Sequence, residues 1–450
     1  MSGDRLPGQH IAAAELVADL RWRGLVHQIT DEAVAHAAIV AGATAYIGFD
    51  PTADSLHVGH LQQILLLRRL QLAGGRPIAL VGGGTGLIGD PSGKSAERTL
   101  LDRAAVDHNV SQLRAQLATF LDFGGEKGAL LLNNVDWLGE MSLLDYLRDV
   151  GKHFSVNAMV QRDSVRDRLD NREQGISYTE FSYMLLQAID FLVLYRDHGC
   201  RGQLGGSDQW GNIVSGSDLI RRSLDADAVA AAPPFGLTSP LVTTRSGAKF
   251  GKTEQGAVWL DAARTSPYAL YQFWMSSDDD EVASYLRRFT LLPRDEIAAI
   301  EQRHREQPAD RVAQRALAGE VVAMAHGRDG LRAAERATTV LFTGDGAGVP
   351  AAELETIFAD VPSATVDARA FAAEGRALRC LLVGEGLPFA SNGEAKRKLK
   401  EGAVRINGRK TGADLQAAVA ADVLIEDRLA IIRVGRKQTW LVRLQDPVLT

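Results

Sequence analysis

The 450-residue chain carries 50 Lys and Arg against 56 Asp and Glu, a formal net charge of −6, with 46% hydrophobic residues and two cysteines. That length holds about three domains at roughly 150 residues each, and no apolar run reaches the ~18 residues that would cross a bilayer. Only Cys200 and Cys380 occur, too few for a disulfide framework or a cysteine-based zinc site and in keeping with a reducing cytoplasm, and the mixed charges of residues 1–25 resemble neither a secretory nor a transit leader.

Residues 44–49 (TAYIGF) predict a short buried strand, and residues 59–73 a helix closed by Gly74 and Gly75. Residues 77–82 (PIALVG) predict a second strand, so the unit implies a parallel pair joined by a right-handed crossover. Further strands at 130–132 and 202–204, with helices between, give an α/β fold class, a doubly wound Rossmann-type parallel sheet. Ligands of such sheets sit beyond the carboxyl ends of the strands. Two polar segments fall at such ends: GFDPTADSLHVGH at 48–60, and Gly205-Gly206-Ser207-Asp208-Gln209.

The first places His57 and His60 around Gly59, where a strand gives way to a helix. A helix N-terminus offers N–H groups and a positive dipole end to phosphate. Gly59 lets a base or ribose lie against backbone, and both histidines can donate to phosphate oxygens without a permanent charge. Next come two look-alikes. Residues 84–89 spell GxGxxG, but after the second strand and with Asp90-Pro91 blocking the helix it should open. Residues 89–95 fall one residue short of a phosphate-cradling GxxxxGK[ST]. Their glycines still allow close approach of backbone to a ligand, with Asp90 at the strand end and Lys94 and Arg98 following.

Tyr183, Gln187 and Asp190 are spaced four and three apart and share one helix face. An aspartate among Phe181, Met184, Leu186, Ile189 and Phe191 needs a partner if it is buried, and a phenolic hydroxyl would serve. After a strand-like stretch at 240–244, Lys249-Phe250-Gly251-Lys252-Thr253 sets two lysines around a glycine. Flexible lysines that meet the β- and γ-phosphates as the α-phosphate is attacked would raise rate rather than affinity. Residues 266–342 are helical in pattern, and glycines with a proline at 344–350 mark a linker.

Residues 376–450 hold 14 Lys and Arg against 8 Asp and Glu, net +6, while the first 375 hold 36 against 48, net −12. A basic tail on an acidic body suits a nucleic-acid partner, or simply a solvated basic face. Within it, residues 395–408 predict a basic helix, a glycine stop and a strand ending in an Asn-Gly turn.

Taken in order, GFDPTADSLHVGH, GLIGDPSGKSAER, TEFSYMLLQAIDF, GGSDQWGN and KFGKT resemble the bacterial-type tyrosyl-tRNA synthetases, class I aminoacyl-tRNA synthetases, over about residues 10–445. HVGH stands for the family's HIGH signature and KFGKT for its KMSKS loop. The resemblance implies a Rossmann-type catalytic domain at 1–235 and a linker with the lysine loop at 236–265. It implies a helical anticodon-binding domain at 266–345, a linker at 346–376, and an RNA-binding module of the ribosomal protein S-four type at 377–450.

The resemblance also assigns roles. Tyr46 and Asp190 would hydrogen-bond a tyrosine phenol, Asp90, Tyr183 and Gln187 would cage its ammonium, and Gln209 would lie near its carboxylate. Gly206 and Asp208 would hold ribose, with Asp50, Pro51 and Gly59 on the nucleotide side. Thr52, His57 and His60 would meet ATP, and Lys94, Arg98, Lys249, Lys252 and Thr253 would clamp pyrophosphate. Lys396, Arg397, Lys398, Lys400 and Arg405 would contact RNA phosphates. Ile47 stands where several relatives carry a ribose-touching cysteine, so a weaker ATP contact is expected. The implied function is tyrosine–tRNA ligation by a cytoplasmic homodimer, with Mg²⁺ carried on ATP, no zinc, no membrane, and L-tyrosine, ATP and the tRNA for tyrosine as partners.

Three alternatives stay open from sequence. A class I synthetase for tryptophan fits less well, because an indole offers only a donor to Tyr46 and Asp190. A small-molecule adenylyltransferase would not need the basic tail. A non-catalytic RNA-binding factor would not need the whole substrate cage.

Overall fold

The computed structural model of the chain describes residues 8–90, 102–162, 165–166, 169, 175–243, 250–253, 256–346, 348–358, 361–435 and 438–446, leaving aside the side chains of 252, 253 and 356. Its internal contacts divide it into two units. One joins residues 1–266 with 273–327, and the other joins 267–272 with 328–450.

The first unit is built on six strands: β1 (Gln28–Ile29), β2 (Thr44–Phe49), β3 (Arg76–Val81), β4 (Leu130–Asn133), β5 (Cys200–Gly206) and β6 (Phe235–Ser239). They lie in the order β1-β6-β5-β2-β3-β4, all parallel except the β1–β6 pair. The apolar runs of β2, β3, β5 and β6 are buried nearly throughout, as a parallel sheet covered on both faces requires. The strand expected at 240–244 lies earlier, at β6. Its pairing with β5 ends at Ser239 opposite Gly206, and Pro240 has no N–H with which to extend it.

The chain runs β2, β3, β4 outward on one side and returns to place β5 on the other side of β2. The carboxyl ends of β2 and β5 therefore flank the point where strand order reverses, the usual place for a ligand crevice. Helices α1 (Val58–Leu72), α2 (Arg103–Leu117), α3 (Tyr178–His198) and α4 (Trp210–Ser223) follow strands or cover them. Helix α3 opens with Ser177, whose hydroxyl accepts from the Glu180 N–H at 3.2 Å, and closes on Gly199 at φ +59°. Beneath the crevice Tyr46, Ile78, Leu80, Phe191, Leu194, Cys200 and Ile220 form a core.

A two-stranded ribbon, β7 (Lys252–Thr253) and β8 (Gly256–Ala257), comes next. Helices α5 (Pro267–Met275), α6 (Val282–Phe289), α7 (Arg294–Glu306) and α8 (Val312–Thr343) follow, and α8 is interrupted at Gly327 (φ +71°, ψ 176°), the last residue of the first unit.

Where a linker is expected at 346–376, the second unit instead forms α9 (Ala351–Ile357) and strand β9 (Ser363–Asp367). The rest comprises helix α10 (Asn392–Lys400) and strands β10 (Val404–Ile406), β11 (Arg409–Lys410), β12 (Leu429–Val434) and β13 (Gln438–Gln445). The sheet order is β11-β10-β12-β13-β9, with β9 parallel to β13. Alternation along β12 and β13 gives the sheet two buried faces. Leu429, Ile431 and Leu441 pack with Ala337, Val340, Leu354 and Phe358, while Ala430, Ile432, Val434 and Val442 pack with Phe371, Leu381 and Leu399.

Candidate active site

The floor of the crevice holds a phenol and a carboxylate, both removed from water. Tyr46, on β2, and Asp190, on α3, are 1% and 2% exposed. The Tyr46 hydroxyl is buried with no hydrogen-bond partner among the described residues. Asp190 has two donors: Asn134 Nδ2 to Oδ2 at 3.0 Å and Trp137 Nε1 to Oδ1 at 2.8 Å. Burial outweighs those donors and, with Asp50 nearby, pushes the carboxyl up to about 7. Burial first, and the Asp190 charge second, hold the Tyr46 phenol well above its ordinary range. A buried hydroxyl without a partner costs free energy unless a ligand completes it. The pair thus presents one open hydroxyl and a carboxylate with lone pairs to spare.

A polar relay leads away from this floor. Gln187 Oε1 accepts from Asn212 Nδ2 at 3.0 Å, the same amide donates to Gln209 Oε1 at 3.1 Å, and Gln209 Nε2 donates to Asp90 Oδ2 at 2.9 Å. Gln187, Gln209 and Asp90, distant in sequence, are thereby joined through a residue that sequence reasoning missed. Asn212 stands one helical turn after Gln209 in GGSDQWGN, and that spacing was its signal. Asp50, at the end of β2, accepts from Thr85 Oγ1 at 3.3 Å and lies 3.5 Å from the Tyr183 hydroxyl. Tyr183 therefore reaches toward the expected nucleotide-side carboxylate rather than standing only among the cage residues. A Cβ on Gly206 would come within 2.5 Å of Asp208 Oδ1, so the backbone there is open only because the residue is glycine.

The two histidines cap their own helix. His57 is the N-cap of α1; its Nδ1 accepts from the Gly59 N–H at 3.0 Å, while His60 Nδ1 accepts from the His57 N–H at 3.2 Å. The Val58 N–H goes to the Val258 carbonyl at 2.9 Å. The backbone N–H groups expected to face phosphate are thus already used. What the motif offers is side-chain chemistry: with both Nδ1 atoms accepting, each neutral ring carries its proton on Nε2 and is a donor there. The rings stack at 4.0 Å.

The lysine ribbon lies on this motif. His57 pairs with Trp259 as an isolated antiparallel bridge, Leu260 N–H donates to the Leu56 carbonyl at 2.8 Å, and Arg264 covers Trp259 at 4.0 Å while pairing with Asp54 at 2.6 Å. Motifs almost 200 residues apart in sequence thus share backbone hydrogen bonds. Of the expected clamp, Lys94, Arg98 and Lys249 lie outside the described residues, and Lys252 and Thr253 are described as backbone only, in β7.

A family model for "tRNA synthetases class I (W and Y)" matches residues 41–343, and one for the "Tyrosine--tRNA ligase SYY-like C-terminal domain" matches 353–442. The tyrosine–tRNA ligase of Geobacillus stearothermophilus is 49% identical over 95% of this chain and 99% of that protein. The chain belongs to the tyrosyl-tRNA synthetase family. The tyrosine–tRNA ligase of Rhodopirellula baltica is 48% identical over 97% of this chain and 98% of that protein. A crystal structure of a C-terminally truncated mitochondrial tyrosyl-tRNA synthetase from Aspergillus nidulans superimposes with a TM-score of 0.66 at 33% identity, covering 73% of this chain and 94% of that one.

In this synthetase the glycines at the start of the first look-alike motif have structural work, while the second, at 89–95, lies outside the described residues beyond Asp90. Gly83 and Gly84 donate their N–H groups to Asn133 Oδ1 and Asn134 Oδ1 at 3.0 and 2.8 Å, and a Cβ on Gly83 would meet Asn133 at 2.3 Å. The glycine run seats a pair of asparagines that extend β4, and one of these orients Asp190. Asn134 and Trp137 were the other residues missed; an Asn-Asn pair and an indole straight after a strand end were their only trace. Of the expected RNA contacts, Lys396, Arg397 and Lys400 stand exposed on α10 and Arg405 on β10, while Lys398 is half-buried and pairs with Glu401 at 2.8 Å.

Proposed function

We propose that this chain charges the tRNA for tyrosine in two steps at the crevice between β2 and β5. The tyrosine carboxylate attacks the ATP α-phosphate, forming tyrosyl-adenylate and releasing pyrophosphate, and the tRNA 3′-terminal ribose then takes the tyrosyl group. Catalysis is positioning and charge stabilisation, with no side chain as covalent nucleophile. The observation that carries this reading is the open Tyr46 hydroxyl beside buried Asp190. A tyrosine phenol would donate to the carboxylate and accept from Tyr46, satisfying both. Asp90, Gln187 and Tyr183 would hold the ammonium and Gln209 the carboxylate.

Asp50, Pro51, Thr52, Gly59, Gly206 and Asp208 would frame the nucleotide. The Nε2–H donors of His57 and His60, with Lys94, Arg98, Lys249, Lys252 and Thr253, would meet the phosphates. Mg²⁺ would ride on the triphosphate oxygens, ligands of the hard kind it prefers.

The test is amino-acid-dependent ATP–pyrophosphate exchange. Tyrosine should outrun phenylalanine by about 10⁴–10⁵ in kcat/KM, a general figure for which the tyrosine enzyme is itself the reference case. Exchange with tyrosine no better than with phenylalanine or tryptophan would overturn the assignment.

The cytoplasm is the compartment proposed, in keeping with a buried thiol at Cys200 and a second free one at Cys380. We also propose a homodimer. Leu143, Leu144, Val156 and Tyr178 are 60–75% exposed, and Tyr178 neighbours Tyr146 of the same stretch. An apolar surface of this kind marks an interface, and Asp145, Arg148 and Asp149 beside it supply both signs of charge, as a two-fold, self-complementary face needs. Leu144→Asp should run as a monomer in sedimentation where the parent runs as a dimer.

A further inference from the structure

Phe250 and Gly251, which lie between Lys249 and Lys252 in sequence, are each held against the body of the first unit. Phe250 is 8% exposed and stacks on Phe289 at a centroid distance of 5.3 Å and an interplanar angle of 15°. Tyr285 stands 5.1 Å away, Trp274 5.5 Å and Phe273 5.6 Å. The four partner rings come from the end of α5 and from α6.

The next residue touches a different element. Gly251 has φ +79°, and a Cβ there would lie 2.5 Å from Val58 Cγ2, the first residue of α1. Helix α1 is in turn held by the same end of α6. Arg69, fully buried on α1, donates from Nη2 to the carbonyls of Thr290 at 2.6 Å and Arg288 at 3.2 Å. Thr290 directly follows Phe289. One turn of chain thus holds the ring of the lysine loop and the guanidinium of the helix that His57 caps.

We propose that Phe250 is a positioning residue for adenylate formation, acting through Phe289 to set the lysine loop in register with the histidine motif. This rests on the reading that the loop lysines meet the departing pyrophosphate. Lysine side chains are long and flexible, so their effect on a developing charge depends on how firmly the backbone under them is placed. A displacement near 1 Å can lower a rate about a hundredfold. None of the residues proposed to hold tyrosine (Tyr46, Asp90, Tyr183, Gln187, Asp190 and Gln209) belongs to this ring cluster, so loosening the loop should leave tyrosine binding in place.

The test uses the full-length chain and measures two quantities for each variant: tyrosine Kd at equilibrium and the single-turnover rate of adenylate formation. Phe250→Ala should lower the rate about ten- to a hundredfold while tyrosine Kd stays within about twofold, and Phe250→Leu should recover most of the loss. Because Phe250 acts through Phe289, adding Phe289→Leu to Phe250→Ala should cost less than it does alone. A rate for Phe250→Ala within about twofold of the parent, a Kd rising in step with the rate loss, or strict additivity with Phe289→Leu would each overturn the proposal. Lys252→Ala separates the two readings. If it leaves the rate unchanged, the pyrophosphate reading fails and the proposed register fails with it; if it lowers the rate while Phe250→Ala does not, the pyrophosphate reading stands and the positioning role alone fails.

Discussion

Asp190 is a carboxylate whose environment opposes its charge. Free of ligand it titrates near 7, so below that pH it is mostly protonated. A phenol donating to it favours the ionised form, because a charge-assisted hydrogen bond is the stronger one. With tyrosine seated as proposed, binding would lower the pKa and release a proton. The sign follows: tyrosine Kd should fall as pH rises through about 7 and level off above it. Asp190→Asn should bind tyrosine more weakly and lose this dependence. Calorimetric titration in buffers of different ionisation enthalpy would measure the proton directly, and proton uptake, or a Kd flat from pH 6 to 8, would contradict it. The histidines make a related point. The same side chains that mark the motif also consume the amides around them, so the donors the motif has left to offer are ring Nε2–H groups, fixed in tautomer by the helix cap.

Among the elements, short turns carry much of the positioning. The β10–β11 hairpin closes on Asn407 and Gly408, both with positive φ (46° and 76°), the pairing a two-residue type I′ turn requires. Asn407 does more than turn the chain. Its Oδ1 accepts from the Ile431 N–H at 2.7 Å, its Nδ2 donates to the Val423 carbonyl, and it is 8% exposed. Asn407→Ala should destabilise the second unit by about 1–3 kcal/mol, since two backbone groups lose partners. The loss would show as a lowered Tm of that unit, with ATP–pyrophosphate exchange unchanged. The Asn-Gly pair and the glycine stop at Gly402 were legible from sequence because turn chemistry is local. Strand β9 was not, since Ser363–Asp367 is a strand only by virtue of β13, more than seventy residues on.

For the whole molecule, the sheet of the second unit sets where the chain divides. A cut before residue 377 would strip β9 from β13 and leave Ala337, Val340 and Leu354 without the strands they pack against. Removing 328–450 follows the observed division at Gly327 and leaves only residues 267–272 of the second unit behind. We expect the 1–327 chain to retain exchange with tyrosine and to lose most aminoacylation, because the exposed cations of α10 and β10 go with the removed part. Loss of exchange in a folded 1–327 chain, judged by its melting curve, would place part of the adenylate site in the second unit.

The α/β class and the family were legible in the chain's residues alone. Strand runs, turn residues and motif order depend on local preference and short spacing, and those survive in a string of letters. Folding in three dimensions orients Asp190 by Asn134 and Trp137, joins Gln187 to Gln209 through Asn212, and brings Phe250 and Arg69 together at the C-terminal end of α6. Each of these joins residues from separate elements. What fixes them is the burial of a charge, a hydroxyl or a ring against a partner whose distance in sequence carries no signal.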